Sequence, residues 1–120
     1  MSEQSLQSAV IKYIQLQYPF VRYCASLGGI RTSIRQAIKA KATGYVKGFP
    51  DLQITEARGG YFGLFIEIKM EKRYATKEQK EWIKDLTDRG YKAVIAKGLT
   101  DTITVVDDYL KLKKTNVKKG

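Results

Sequence analysis

Apolar residues recur at helical spacing over the first turns of the chain: Leu6, Ala9, Val10, Tyr13, Ile14 and Leu16 predict an amphipathic helix from Glu3 to Gln17, with Ser2 as its N-cap. Tyr18-Pro19 ends it, because the residue before a proline disfavours the helical region. Phe20 to Leu27 reads as a strand closed by Gly28-Gly29, and Thr32 to Ala42, carrying Ile34, Ala37 and Ile38, as a short basic helix. A strand follows from Asp51 to Thr55, then the turn EARGG, then the largely apolar strand YFGLFIEIKM with one charged pair near its end. Thr76 to Arg89 is a well-marked helix stopped by Gly90, and YKAVIAKG a further strand. Leu99 to Lys111 sends mixed signals. Thr102 to Val106 favour a strand and Asp107-Asp108-Tyr109-Leu110 a helix, and the helix is preferred. The order α, β, α, β, β, α, β, α predicts one α/β domain over residues 1–112, a mixed sheet with helices on its faces. KLKKTNVKKG begins within it, and residues 113–120 read as a basic, frayed tail.

Charge sharpens this picture. The 120 residues hold 22 Lys and Arg against 12 Asp and Glu, a net charge of +10. Such an excess points to a polyanionic partner, nucleic acid first, although solubility alone is the plain alternative. The basic residues are spread along the chain, which argues against a membrane-surface helix. No apolar run is long enough for a membrane span, and MSEQSLQ lacks the features of a secretion signal, so an intracellular, cytoplasmic protein is expected. Cys24 stands alone, which rules out an intramolecular disulfide and a thiolate zinc site and predicts a buried core thiol. Histidine is absent. Ser–His–Asp and Cys–His catalysis are therefore excluded, as are nucleases with a histidine base. Chemistry has to come from carboxylates, lysines, tyrosines or a metal held by oxygen.

The stretch KGFPDLQI places a proline and an aspartate, both poor strand residues, at the mouth of a strand. If the two strands around EARGG form an antiparallel hairpin centred on Gly59, Asp51 and Glu67 each lie eight residues from that centre and face one another. Two opposed carboxylates destabilise a sheet unless something neutralises them. Lys69 leaves the same face two residues beyond Glu67 and offsets part of the repulsion; Mg²⁺, a hard cation with a preference for oxygen ligands, would do so better. A bulge would shift this register by one.

Asp51 followed by Glu67-Ile68-Lys69 resembles the PD-(D/E)XK nuclease pattern, and GFPDL, FIEIK and TKEQKEW together resemble its VRR-NUC branch, from about Glu3 to Gly98. Members occur as small stand-alone proteins, often viral or bacterial, and as the nuclease domain of a DNA-crosslink repair enzyme. The resemblance implies a restriction-endonuclease-like fold and a metal-dependent, structure-selective DNA endonuclease. In small stand-alone members it implies a homodimer that cleaves four-way (Holliday) junctions. It places Mg²⁺ or Mn²⁺ on Asp51, Glu67 and the backbone carbonyl of Ile68, and gives Lys69 the orientation or activation of the attacking water. A flap or single-strand nickase with the same site, and a DNA-binding module without turnover, are the rival readings.

Two further residues carry double readings. Thr76-x-x-Gln79 is a capping box, whereas in the family this glutamine lies at the active site; the functional reading of Gln79 is preferred. Glu3 suits the first turn of a helix, and the family's E-x-x-(I/L)-Q pattern, matched by EQSLQ, implies that it completes the metal site. Lys47, Arg22, Arg31, Arg35, Lys39, Lys41, Lys72 and Arg73 are candidates for phosphate contacts, each of which singly is also an ordinary solvated charge. Tyr45 and Tyr74 could stack on bases, but core tyrosines are the commoner case.

Overall fold

The computed structural model describes residues 1–26 and 33–117. Helix α1 (Glu3–Gln17) starts at Ser2, whose side chain and that of Ser5 cap one another's backbone. It buries Leu6, Val10 and Ile14, as the helical stripe predicts, while Leu16 points to solvent. Strand β1 (Tyr23–Ala25) is shorter than its apolar run, and Phe20 is 94% exposed. Helix α2 (Ile34–Ala42) buries none of its residues. Strands β2 (Leu52–Ile54) and β3 (Leu64–Lys69), helix α3 (Lys77–Asp88), strand β4 (Lys92–Lys97) and helix α4 (Gly98–Lys111) complete the order. The ambiguous C-terminal segment is thus a helix: its buried positions Thr102, Val106, Tyr109 and Leu110 recur at spacings of three and four.

The four strands form one sheet in the order β1-β2-β3-β4, the first two pairings antiparallel and β3–β4 parallel. Odd and even positions of β3 point to opposite faces. Leu64, Ile66 and Ile68 join Leu52 and Ile54 beneath α1 and α4, while Phe65 packs with Leu86, Trp82 and Ile83 of α3 on the other side. Glu67 and Lys69 alternate with the apolar set and so share the α3 face with Phe65. All six residues of β3 are buried, including these two charges.

The hairpin register is as expected, with Leu52 opposite Ile66, Gln53 opposite Phe65 and Ile54 opposite Leu64. The tip is offset, however. Arg58 pairs with Tyr61 across Gly59-Gly60, both at positive φ as a two-residue turn of the primed kind requires. One extra residue on the incoming arm absorbs the difference, because Phe62 and Gly63 bond instead to Gly90 and Lys92.

Two expectations are corrected. Cys24 is exposed, since β1 is an edge strand in which Tyr23 and Ala25 take the more enclosed positions. The stretch expected to begin a free tail is tied down: the amides of Gly59 and Thr115 donate to the carbonyls of Lys113 and Ala57 at 2.8 and 3.0 Å. On the α1–α4 side, the Tyr13 and Tyr18 hydroxyls both donate to the Asp107 carboxylate, at 2.8 and 2.6 Å. Burial and that carboxylate together hold the Tyr18 hydroxyl well above its ordinary pKa.

Ile66 is fully buried at the centre of the sheet. Ile66→Ala should cost about 2–5 kcal/mol in urea unfolding, whereas Phe20→Ala should stay within about 0.5 kcal/mol.

Candidate active site

The KGFPD loop is docked before the strand begins. Gly48 adopts φ +93°, and a Cβ there would lie 2.7 Å from the backbone of Glu78, so only glycine allows the loop to lie against the first turn of α3. The Trp82 indole N–H donates to the Lys47 carbonyl at 3.2 Å. Phe49 inserts edge-on between Trp82 and Phe65, with centroid separations of 4.9 and 5.6 Å, and Pro50 is fully buried. These contacts leave little freedom to Asp51. Its carbonyl accepts from the Ser26 amide at 2.8 Å, and its Oδ2 accepts from the Ile68 amide at 2.8 Å. The carboxylate therefore reaches across to β3, beside Glu67. The proline ends the approach loop, and the aspartate replaces a ladder partner with its side chain.

Glu67 is 2% exposed and its Oε1 is buried with no hydrogen-bond partner among the described residues. Burial, and then the adjacent Asp51 carboxylate, push its pKa up to about 9, with Lys69 opposing the shift and Glu3 adding to it. A buried acceptor with no donor is costly, and a cation bound there would satisfy it. The donor set fits a hard divalent ion: two acids side by side, with further oxygen available from the backbone. Among the described residues no three acidic, thiol or imidazole side chains are close enough to hold an ion by themselves. Glu3 is exposed at the start of α1; it borders the same groove as Asp51 and is felt electrostatically by Glu67.

The other expected residues divide. Lys69 is 8% exposed on the Glu67 face. Gln79 completes the capping box: its Oε1 accepts from the Thr76 amide at 2.8 Å and its own amide donates to the Thr76 hydroxyl at 3.2 Å. The cap engages the oxygen and leaves the side-chain NH₂ group available to a ligand. Lys47, Arg22, Arg35, Lys39, Lys41, Lys72 and Arg73 are all exposed, and Arg31 lies outside the described residues. Tyr74 is 80% exposed beneath the Lys97 ammonium, 4.0 Å from its ring centre, and Tyr45 is 38% exposed, so neither belongs to the core. Sequence reasoning missed Lys97, which pairs with Lys69 across β3 and β4, and Ser26, which the β1–β2 register brings to Asp51. No local motif marks either of them.

A mixed sheet flanked by helices, with a proline–aspartate immediately before one strand and Glu-x-Lys at the end of the next, defines a PD-(D/E)XK-type nuclease domain. The VRR-NUC domain model matches residues 1–99, and the chain belongs to that family. A solved structure described as a VRR_NUC domain protein is 35% identical with a TM-score of 0.80, the match covering 97% of this chain and 93% of that one. No curated protein matches.

The raised pKa of Glu67 has a defined sign in stability. Its folded-state pKa lies above its unfolded value, so the contribution is fully present below about pH 4.5 and is lost as pH rises towards 9. The metal-free protein should weaken across that window by at most about 1.4 kcal/mol per pH unit, the slope for one proton. In EDTA, Glu67→Gln should flatten the slope measured by thermal melts from pH 5 to 9; an unchanged slope would contradict this account.

Proposed function

We propose that this VRR-NUC protein is a Mg²⁺- or Mn²⁺-dependent, structure-selective DNA endonuclease that cuts four-way junctions as a homodimer. The observation that carries the reading is the Asp51–Glu67 pair: two adjacent carboxylates, one with an orphaned buried oxygen, backed by a buried lysine on the same face. Acids facing a polyanion weaken its binding unless a cation covers them, so a DNA-binding module without turnover would have no use for this arrangement.

Asp51, Glu67 and the Ile68 carbonyl are the groups that would hold the ion, with Glu3 at the groove's edge. Bound there, a divalent cation supplies Lewis acidity towards a phosphoryl oxygen and acidifies water. Lys69, held by the strand beside Glu67, presents a fixed positive charge to the phosphate and a donor to orient the attacking water. The Gln79 side-chain NH₂, left free by the α3 cap, would serve as a second donor in this reading. The exposed Lys47, Arg22, Arg35, Lys39, Lys41, Lys72 and Arg73 add the diffuse positive field that retains a DNA backbone.

A symmetric junction needs two matched cuts, and a twofold dimer supplies two sites. Helix α2 offers an apolar surface for it, since Ile34 and Ile38 are 82% and 64% exposed.

Asp51→Ala and Glu67→Ala should each reduce cleavage of an end-labelled junction by at least about a thousandfold, as loss of an essential catalytic group does, while metal-free DNA binding is kept or strengthened. Paired symmetric nicks lost with EDTA would support the reading. Cutting of flaps alone would replace the substrate, and tight binding without cleavage in any metal would favour the binding module. Lys69→Ala should lose turnover yet still bind Mn²⁺ in calorimetry. Separately, Ile34→Glu with Ile38→Glu should convert the dimer to a 13.6 kDa monomer in light scattering and reduce paired cuts to single nicks; an unchanged mass would place the interface elsewhere.

A further inference from the structure

Next to the acids, on the far side of Ser26, lies a cavity of about 290 Å³ lined by Ser26, Gly44, Tyr45, Val46, Phe49 and Trp82. We infer that it is a nucleobase pocket: it receives an unstacked base of the DNA strand whose phosphate lies at Asp51 and Glu67. The inference rests on the nuclease reading and adds what that reading lacks, a physical reason for preferring distorted DNA.

Three observations point to this occupant. The first is chemical. The walls are two fixed aromatic rings, Phe49 and Trp82, with a third, Tyr45, exposed at the rim. Aromatic faces accept any base by stacking. The Trp82 N–H is already satisfied by the Lys47 carbonyl, so the ring is held in place and has no polar demand of its own. Ser26 supplies the reverse: its Oγ is buried with no partner among the described residues, a group suited to the polar edge of a base.

The second is continuity. Ser26 also borders the groove that contains Asp51, Glu3, Gln7 and Lys12. Phe49 lines the aromatic cavity and stands two residues before Asp51. One strand can thus lie with its phosphate at the acids and its base beside Phe49. The third is charge. Lys47 is exposed on the loop that forms the wall, and Lys39 and Lys41 are exposed at the end of α2, immediately before Gly44. An apolar cavity on segments that also carry exposed lysines suits a ligand with an aromatic part and an anionic backbone.

A paired base cannot enter such a cavity. Unstacking is cheapest where pairing is already interrupted, and that favours branch points and single strands.

Trp82 is the only tryptophan of the chain, so its fluorescence reports on the pocket directly. In EDTA, the protein would be titrated with a single-stranded oligothymidylate and with an abasic oligomer of equal length, binding being followed by anisotropy of a terminal label. Both should bind, and only the base-bearing strand should quench Trp82, by half or more. Tyr45→Ala, at an exposed position outside the metal site, should weaken the base-bearing strand about fivefold or more and leave the abasic one unchanged, with Tyr45→Phe restoring it. Equal quenching by both strands, or binding without quenching, would overturn the pocket, as would absence of binding by either. Cleavage without base-dependent quenching would sink the pocket alone; base-dependent quenching without cleavage in any metal would sink the nuclease and keep the pocket.

Discussion

The short bond from the Ile68 amide to Asp51 Oδ2 is the contact on which the site depends. It substitutes a side-chain oxygen for the backbone partner that β2 would otherwise offer, just where Pro50 has ended the ladder. The strand is thereby capped and the carboxylate fixed beside Glu67 in a single step. The hairpin register decides whether this can happen at all. A slip of one residue would turn Asp51 or Glu67 to the other face, among Ile66, Ile68 and Leu52.

The remainder of the fold holds that register. Helices α1 and α4 cover the face carrying Leu64, Ile66 and Ile68, so those residues cannot turn outward without losing their burial. Helix α3 holds the approach loop through Gly48, Trp82 and Phe49. The domain therefore buries two carboxylates against their electrostatic preference, and Glu67 answers by holding its proton far above the usual carboxylate range. A pair of this kind is a liability in the metal-free protein and suits a divalent ion. Absence of histidine is consistent with the same chemistry, since a metal acidifies water without a neutral base nearby.

The aromatic side of the loop has two consequences. Phe49 and Trp82 are needed to anchor Asp51, and the same rings form the wall of the cavity beyond Ser26. The features that position the acids thus also shape what can lie next to them.

Because alternation is local, periodicity along the chain determined seven of the eight elements and left the last between strand and helix. The spacing about Gly59 reproduces the strand register only because one extra residue offsets the Arg58–Tyr61 tip. The capping box at Thr76 and Gln79 was legible because it, too, is local. Strand ends were not. Phe20 carries strand propensity but lies outside the ladder of β1, and only pairing decides where a ladder stops. The tip offset at Arg58–Tyr61 came from bonds to the distant Gly90 and Lys92, which no local rule contains. Cys24 and Leu16 were misjudged because burial depends on what packs above a residue, not on its own character. Ser26 and Lys97 entered the site through the sheet pairings alone. Sequence fixed which groups could do chemistry; tertiary structure decided their neighbours, their burial and so the protonation of Glu67, since those depend on contacts between residues far apart in the chain.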